Sequence, residues 1–364
     1  MTRHVLGLAL LAAGALPCLP GPWAHAEEPR PEEARTAPDL RVLYEPTATT
    51  RAVDRGLEYL DRAQLEDGSW ISPMGKNTGI LGLAVMAFLA AGHEPGRGKH
   101  GRAIDRGIAF LLDHTKDGMV VTSDTSHGPM YEHGIATLLL GEVLGMIDEQ
   151  REGHERITRV HRNAVNLILR AQNVPRDHTS TGGWRYTPSS NDADLSVTGW
   201  QLLALRAAQD AGLPVPKKNI DQAVLYVKRC ATPTGDFSYM PGSKTSIALT
   251  GTGVLSLQIC GDFRSPEALR GGDWLLAHPL EWKGPFFYYS AYYSSQAMYQ
   301  LGGKHWEAWR PVIEGVLLQH QREDGSWPAP PNETHEHQAG PAYTTAMAIL
   351  SLTVEYRYLP IYQR

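Results

Sequence analysis

The chain has 364 residues, 42% of them apolar and 20% charged, which is ordinary globular composition and enough for one large core or two small ones. A formal net charge of −5 with no basic patch leaves nothing to neutralise phosphates, so nucleic acid is not an expected partner.

Residues 1–26 read as a secretory leader: Arg3 precedes a twelve-residue apolar run over 5–16, and Ala24-His25-Ala26 is a small-x-small cleavage signal. That run, followed by Pro17, Pro20 and Pro22, falls short of the roughly 18 to 20 apolar residues a membrane span needs. The expectation is an exported protein, periplasmic or extracellular, with no membrane span and a mature chain from Glu27. Losing Arg3 leaves 33 basic against 39 acidic residues, a net −6. A lipid anchor on Cys18 is disfavoured, because Pro17 stands where a small residue is wanted. Residues 27–46, rich in Pro, Glu, Ala and Thr without an apolar period, read as a flexible tether, and 47–364 as one folded domain.

From there the pattern turns helical. Amphipathic onsets near Arg51, Arg102, Val160, Asn219, Ala268 and Pro311, spaced 51, 58, 59, 49 and 43 residues apart, mark six hairpins. The outer helix of each repeats apolar positions three and four apart, as at Val53, Leu57 and Leu60. The inner helix is apolar nearly all round, as over 80–91, 135–146, 200–208 and 254–259, and has to be enclosed on every side. Four inner helices share Thr78-Gly79, His133-Gly134, Thr198-Gly199 and Thr250-Gly251, each with leucine four residues after the glycine. Glycine inside a helix costs about 1 kcal/mol relative to alanine, so its recurrence predicts close approach of neighbouring inner helices. The competing reading is a series of threonine caps. Cys230 and Cys260 fall near opposite ends of one hairpin, beyond the Cα separation of about 7 Å that a disulfide tolerates, and read as free thiols.

The element Gln64-x3-Gly68-x-Trp70 returns as Gln321-x3-Gly325-x-Trp327. Its glycine permits a turn, its glutamine amide can reach free carbonyls at a helix end, and its tryptophan reads as scaffold. Preceded by Arg55-Gly56 and Tyr59-Leu60, the first copy resembles the QW repeat of squalene-hopene and related triterpene cyclases. The prenyltransferase β-subunit group shares the architecture. The resemblance implies an all-α, single-domain α/α toroid, an (α/α)6 barrel of six hairpins whose inner helices are ringed by outer ones, over residues 51–362. Tyr131-Glu132-His133-Gly134, Gly182-Gly183-Trp184-Arg185-Tyr186, the stretch from Asp194 to Trp200 and the tail Tyr356-Arg357-Tyr358-Leu359-Pro360 are similar to exported bacterial proteins labelled as prenyltransferase or squalene-oxidase repeat proteins. In the cyclases an Asp-x-Asp-Asp motif protonates an alkene. Asp192-Ala193-Asp194-Leu195 matches it at Asp192 and at the donor, Asp194, and lacks the neighbour that follows. Alkene protonation asks for an acid far stronger than an ordinary aspartate of pKa about 3.9. The zinc of the farnesyltransferase group needs an Asp-x-Cys pair and a distant histidine. This chain has no Asp-x-Cys, and Thr344 stands at the histidine position, so no metal and no cofactor are expected.

The resemblance makes Asp194 the catalytic candidate and Asp192 its helper. Asp194 precedes Thr198 by one helical turn, so it either places a carboxylate at a cavity mouth or simply caps the helix. Tyr288, Tyr289, Tyr292 and Tyr293, with Trp184, Tyr186, Trp200, Phe237, Tyr239 and Tyr343 at comparable places in other units, would gather at one rim. Aromatic faces there stabilise a cation, cover an apolar chain, stack on sugars or merely pack. His133 joins them as a ligand-binding candidate. Among the other histidines, His127, His335 and His337, the His335-Glu336-His337 triplet lies in a Pro-rich segment, 328–341, read as a loop. Its spacing does not match helical zinc pairs, which sit four apart. The expected partner is therefore a small hydrophobic, isoprenoid-like ligand. The alternatives are a glycan, with Glu132 and Asp194 as general acid and base, and a non-catalytic ring presenting loops 175–191 and 328–341 to another protein.

Overall fold

The computed structural model describes residues 46–122 and 128–363. The leader, Cys18, nearly all of the tether and His127 lie outside the described residues. Twelve α-helices among the described residues alternate between two layers. The outer layer is α1 (Ala48–Ala63), α3 (Gly101–Asp113), α5 (His154–Gln172), α7 (Lys217–Cys230), α9 (Pro266–Ala277) and α11 (Gly303–His320). The inner layer is α2 (Thr78–Ala90), α4 (Met130–Leu144), α6 (Leu195–Asp210), α8 (Ile247–Ile259), α10 (Phe287–Leu301) and α12 (Thr334–Leu352). α1 buries the stripe Ala52, Val53, Gly56, Leu57 and Leu60, whereas every residue of α2 is buried. Consecutive inner helices pack side by side, and α12 returns to α2 while α11 meets α1. That return closes the ring into an all-α (α/α)6 toroid. At two outer-to-inner turns short antiparallel ladders form, β1 (Ile71–Ser72) with β2 (Gly75–Lys76) and β3 (Thr115–Lys116) with β4 (Met119–Val120). Two-residue strands have no period for the sequence to reveal.

The Gln-to-Trp elements tie three of the six units to the next. Gln64 Nε2 donates to the Gly68 carbonyl at 3.0 Å and across to Ala103 of α3 at 2.8 Å. Gln172 does the same toward Gly182 (2.7 Å) and Asn219 of α7 (2.9 Å), and Gln321 toward Gly325 (3.0 Å) and Ala52 of α1 (2.8 Å). The last of these joins the final unit to the first. The buried indoles of Trp70, Trp184 and Trp327 each donate Nε1–H to their own outer helix, at Leu60, Ile168 and Leu317. The backbone N–H groups of Trp184, Phe237 and Trp327 end on the hydroxyls of Thr198, Thr250 and Thr345, and that of Val120 ends on His133 Nδ1 at 3.2 Å. His133 thus does in its unit what threonine does in three of the others.

The recurrent glycines mark contacts between inner helices. A Cβ built at Gly199 would lie 2.5 Å from Thr252 Cγ2 of α8, and one at Gly251 would lie 2.8 Å from the Ser294 backbone nitrogen of α10. Gly251→Ala is expected to lower stability by about 1–3 kcal/mol, because that backbone cannot step aside without shifting α10. A urea midpoint equal to wild type would show that the α8–α10 contact is slack.

Three boundaries differ from the sequence reading. α5 starts at His154 rather than near Val160, and α11 starts at Gly303 and runs through Pro311. The opening residues His154-Glu155-Arg156 and Gly303-Lys304-His305 are polar, although the buried faces already begin at Ile157 and Val160 and at His305 and Trp309. Segment 328–341 is not all loop: Glu333 caps α12 by accepting His335 N–H at 3.0 Å, and the helix breaks at Gly340 (φ 79°) before Pro341. Proline disfavours the α conformation in the residue before it, so the sequence shows a stop where the chain bends and resumes. Cys230 is buried, and it is not joined to Cys260 by a disulfide.

Candidate functional site

Each outer helix precedes its inner partner, so the six inner helices run in one direction and gather their N-termini at one rim. A cavity of about 440 Å³ opens there, lined from all six inner units, within the range of about 300–1,000 Å³ usual for small-molecule sites. Its apolar wall includes Ile80, Leu83, Ile135, Ala248, Leu249 and Ala339, and its aromatic wall Tyr131, Trp200, Tyr289 and Tyr343, with Tyr186 and Tyr239 from rim loops. Trp200 stacks on Tyr292 (5.6 Å between centroids, 9° between planes) and meets Tyr293 edge-on, forming a floor. Below it Tyr292 bonds Tyr362 at 3.0 Å, and Ile361 donates its N–H to the buried Glu142 carboxyl at 3.3 Å, so the tail packs against the far end of α4 and α10.

Three acids at this rim each satisfy a helix N-terminus, where free N–H groups and the helix dipole favour an acceptor. Asp194 caps α6: Oδ1 accepts Val197 N–H at 2.9 Å and the Ser196 hydroxyl at 2.7 Å, and Oδ2 faces Arg185 Nε at 3.7 Å. Burial pushes its pKa up to about 6. Glu132 reaches from α4 to α2, its Oε2 accepting Thr78 N–H (3.0 Å) and the hydroxyls of Thr78 (2.9 Å) and Thr122 (3.0 Å). Burial raises its pKa as well. Glu336 reaches from α12 to α10, its Oε1 accepting Tyr288 N–H at 2.7 Å, and burial pushes it to about 8. Among the described residues neither Glu132 Oε1 nor Glu336 Oε2 has a hydrogen-bond partner, and both side chains line the cavity. Arg185 lies over the rings of Tyr186 (4.6 Å) and Tyr239 (5.5 Å) and pairs with Asp192 at 3.3 Å.

Of the residues singled out in the sequence, Tyr186, Trp200 and Tyr289 line the cavity, as do Glu132, Tyr239, Tyr343 and His335. Asp194 is fully buried just behind the wall, separated from it by Ser196, and Asp192 is half-buried beside Arg185. Trp184 points into the outer layer, as does His133, whose Nε2 donates to Ala164 of α5 at 3.2 Å and whose pKa burial lowers to about 4. Tyr288 turns away to donate to the Pro328 carbonyl at 2.8 Å, and Tyr292 and Tyr293 sit in the floor. The 3.6-residue period explains the sorting, since at the level of the cavity only one of the α10 tyrosines can face the axis. The sequence reading passed over Glu336 as a site residue. Its cap contact spans 48 positions in the chain, a separation that leaves no local mark. Among the described residues no group of three His, Cys, Asp or Glu side chains is placed to hold a metal ion, and no helix is long and apolar enough to cross a membrane.

No family model and no curated protein matches the chain. Solved structures do. A protein from Actinoplanes is similar at TM-score 0.60 and 19% identity, covering 84% of this chain and 99% of that one. A single-residue variant of the type II terpene cyclase MstE from Scytonema, in complex with its substrate geranylgeranyl dihydroxybenzoate, is similar at TM-score 0.54 and 14% identity, covering 86% and 98%. A glycosidase variant in complex with glucose is similar at TM-score 0.56 and 12% identity, covering 86% and 98%. Likeness at such identities establishes the toroid fold, which terpene cyclase and glycosidase share, and not the reaction.

Proposed function

We propose that the cavity binds a neutral, largely apolar, isoprenoid-like ligand. The observation that carries this reading is the wall itself: aliphatic side chains and the aromatic side chains of Tyr131, Tyr186, Trp200, Tyr239, Phe286, Tyr289 and Tyr343 surround a space whose titratable lining groups include Glu132, Glu336 and His335. The guanidinium of Arg185 near the mouth is already paired with Asp192 and faces Asp194, so an anionic head such as a diphosphate finds repulsion rather than a partner. The terpene cyclase bound to a geranylgeranyl substrate on the same fold is consistent with it.

Any chemistry would run through Asp194. Tyr131 and Ser196, both in the wall, are hydrogen-bonded to one another, and Ser196 bonds Asp194 Oδ1, a chain by which a proton can pass between the buried acid and the ligand. A carboxyl held near pKa 6 is a weaker acid than free aspartate, which favours binding or isomerisation of an activated group over protonation of a plain alkene. A second reading is favoured by Glu132 lining the same cavity: with Asp194 as the second carboxyl, it would act on a glycan.

The test is to incubate the purified protein with extracted lipids and, separately, with bacterial polysaccharides, and to identify what co-purifies by mass spectrometry. Retention of an isoprenoid is expected, and retention of saccharides alone would replace this reading with the second. Ala248→Phe, which fills the cavity from α8, should weaken the captured ligand at least about tenfold while leaving thermal stability nearly unchanged. Undiminished binding would place the ligand elsewhere. For the catalytic reading, turnover unaffected by Asp194→Asn would exclude that acid.

A further inference from the structure

We propose that Glu336 selects the ligand's chemistry, its free Oε2 donating a hydrogen bond to an oxygen atom on the otherwise apolar ligand, so that the cavity takes an isoprenoid alcohol or carbonyl compound in preference to a bare hydrocarbon. This rests on the cavity reading above and adds the identity of the polar group.

Glu336 is 2% exposed and lines the cavity near Tyr289 and Tyr343. Its two oxygens are not equivalent. Oε1 accepts Tyr288 N–H at 2.7 Å and Tyr289 N–H at 3.4 Å, while Oε2 has no partner among the described residues. A proton on this carboxyl therefore sits on Oε2, since Oε1 is already turned toward two donors. The surroundings keep that proton in place. Tyr288, Tyr289 and Tyr343 are neutral and held so by burial, and no ion pair links Glu336 to a cation among the described residues. The nearest acid, Glu333, is occupied in accepting Phe286 N–H and His335 N–H at 3.0 Å each, and its charge opposes a second one beside it. His335, next in the chain, is stacked on Phe286 at 5.1 Å. With its pKa raised to about 8, the carboxyl is neutral at neutral pH and is a donor. Glu132 differs, because three short hydrogen bonds to its Oε2 stabilise the ionised form. A buried donor among aromatic rings gains most from a ligand that brings an acceptor and gains nothing from one that does not.

The probes are farnesal and farnesene, which differ by a carbonyl oxygen that accepts hydrogen bonds and cannot donate one, titrated against the protein with tryptophan fluorescence or calorimetry as the readout. The ratio of the two affinities is expected to shift toward farnesene by about three- to tenfold in Glu336→Leu. In Glu336→Gln, which keeps an acceptor for Tyr288 N–H and an amide donor for the ligand, the ratio should stay within about twofold of wild type. Raising the pH of the wild-type protein from about 6.5 to about 9.5 ionises Glu336 without any substitution and should reproduce the Leu result. A ratio that stays constant across the Leu variant and the pH change overturns the proposal while leaving the cavity reading intact. Failure of both probes to bind removes the cavity reading and this proposal with it.

Discussion

Trp327→Ala is expected to lower stability by about 3–5 kcal/mol, roughly 5–15 °C in midpoint temperature. Trp327 is fully buried at the seam of the ring. Its indole N–H donates to Leu317 of α11, its backbone N–H donates to Thr345 of α12, and its ring edge lies against Gly56 of α1, where an added Cβ would come within 2.7 Å of Cζ3. Removing it leaves a cavity between the last unit and the first, where packing is all that holds residues far apart in sequence. Beside it, Gln321 bonds Ala52 across 269 positions, so the loss should also loosen α1 and speed its cleavage by protease. Trp327→Phe, which keeps most of the ring but not the N–H, should cost about 1–2 kcal/mol. Thermal unfolding and limited proteolysis measure both effects, and a change below about 2 °C for the alanine variant would mean that the seam does not hold the toroid shut.

Stability should decline as pH rises from about 6.5 to 8, with Glu142 and Glu336 responsible. Both carboxyls sit near pKa 8 in the folded chain against 4.5 when free, so the folded state binds more protons than the unfolded one in that window and is disfavoured as they leave. Asp194, at about 6 against 3.8, acts in the same direction at lower pH. His133 and His161 oppose it. Buried and neutral at about 4 against 6.5, they stabilise the fold above pH 6.5, and that contribution is lost as pH falls toward 4. Below pH 6.5 the two sets offset one another, and above it only the carboxyls remain, each contributing a slope of at most about 1.4 kcal/mol per pH unit. Glu142 is the cleaner test because it lies away from the cavity, facing Ile361, Tyr292, Tyr362 and Asp210. Glu142→Gln should remove about half of the decline between pH 6.5 and 8. A variant that keeps the full wild-type slope would show that Glu142 does not carry the proton.

The aromatic residues show how far a local pattern reaches. Tyr288, Tyr289, Tyr292 and Tyr293 announce an aromatic helix face, yet one lines the cavity, two form its floor and one points outward. Rotation about α10 decides among them, and packing against α8 and α12 sets that rotation. The His-Gly and Thr-Gly pairs are legible as a repeated contact. That His133 stands in for threonine as a backbone acceptor becomes visible only with Val120 beside it. The histidines of His335-Glu336-His337 draw attention to a metal, while the residue between them is the one whose carboxyl faces the cavity with an oxygen to spare.

By itself the sequence determined the hairpins, their number, the two classes of helix and the glycines at which inner helices touch, because each depends on spacings of three, four or a few tens of residues along the chain. The tertiary structure decided where the hollow lies, which acids face it and which of their oxygens is left without a partner. Those are consequences of ring closure: Glu132 caps a helix 54 positions earlier and Glu336 one 48 positions earlier, and only when α12 packs against α2 do these carboxyls share one apolar space.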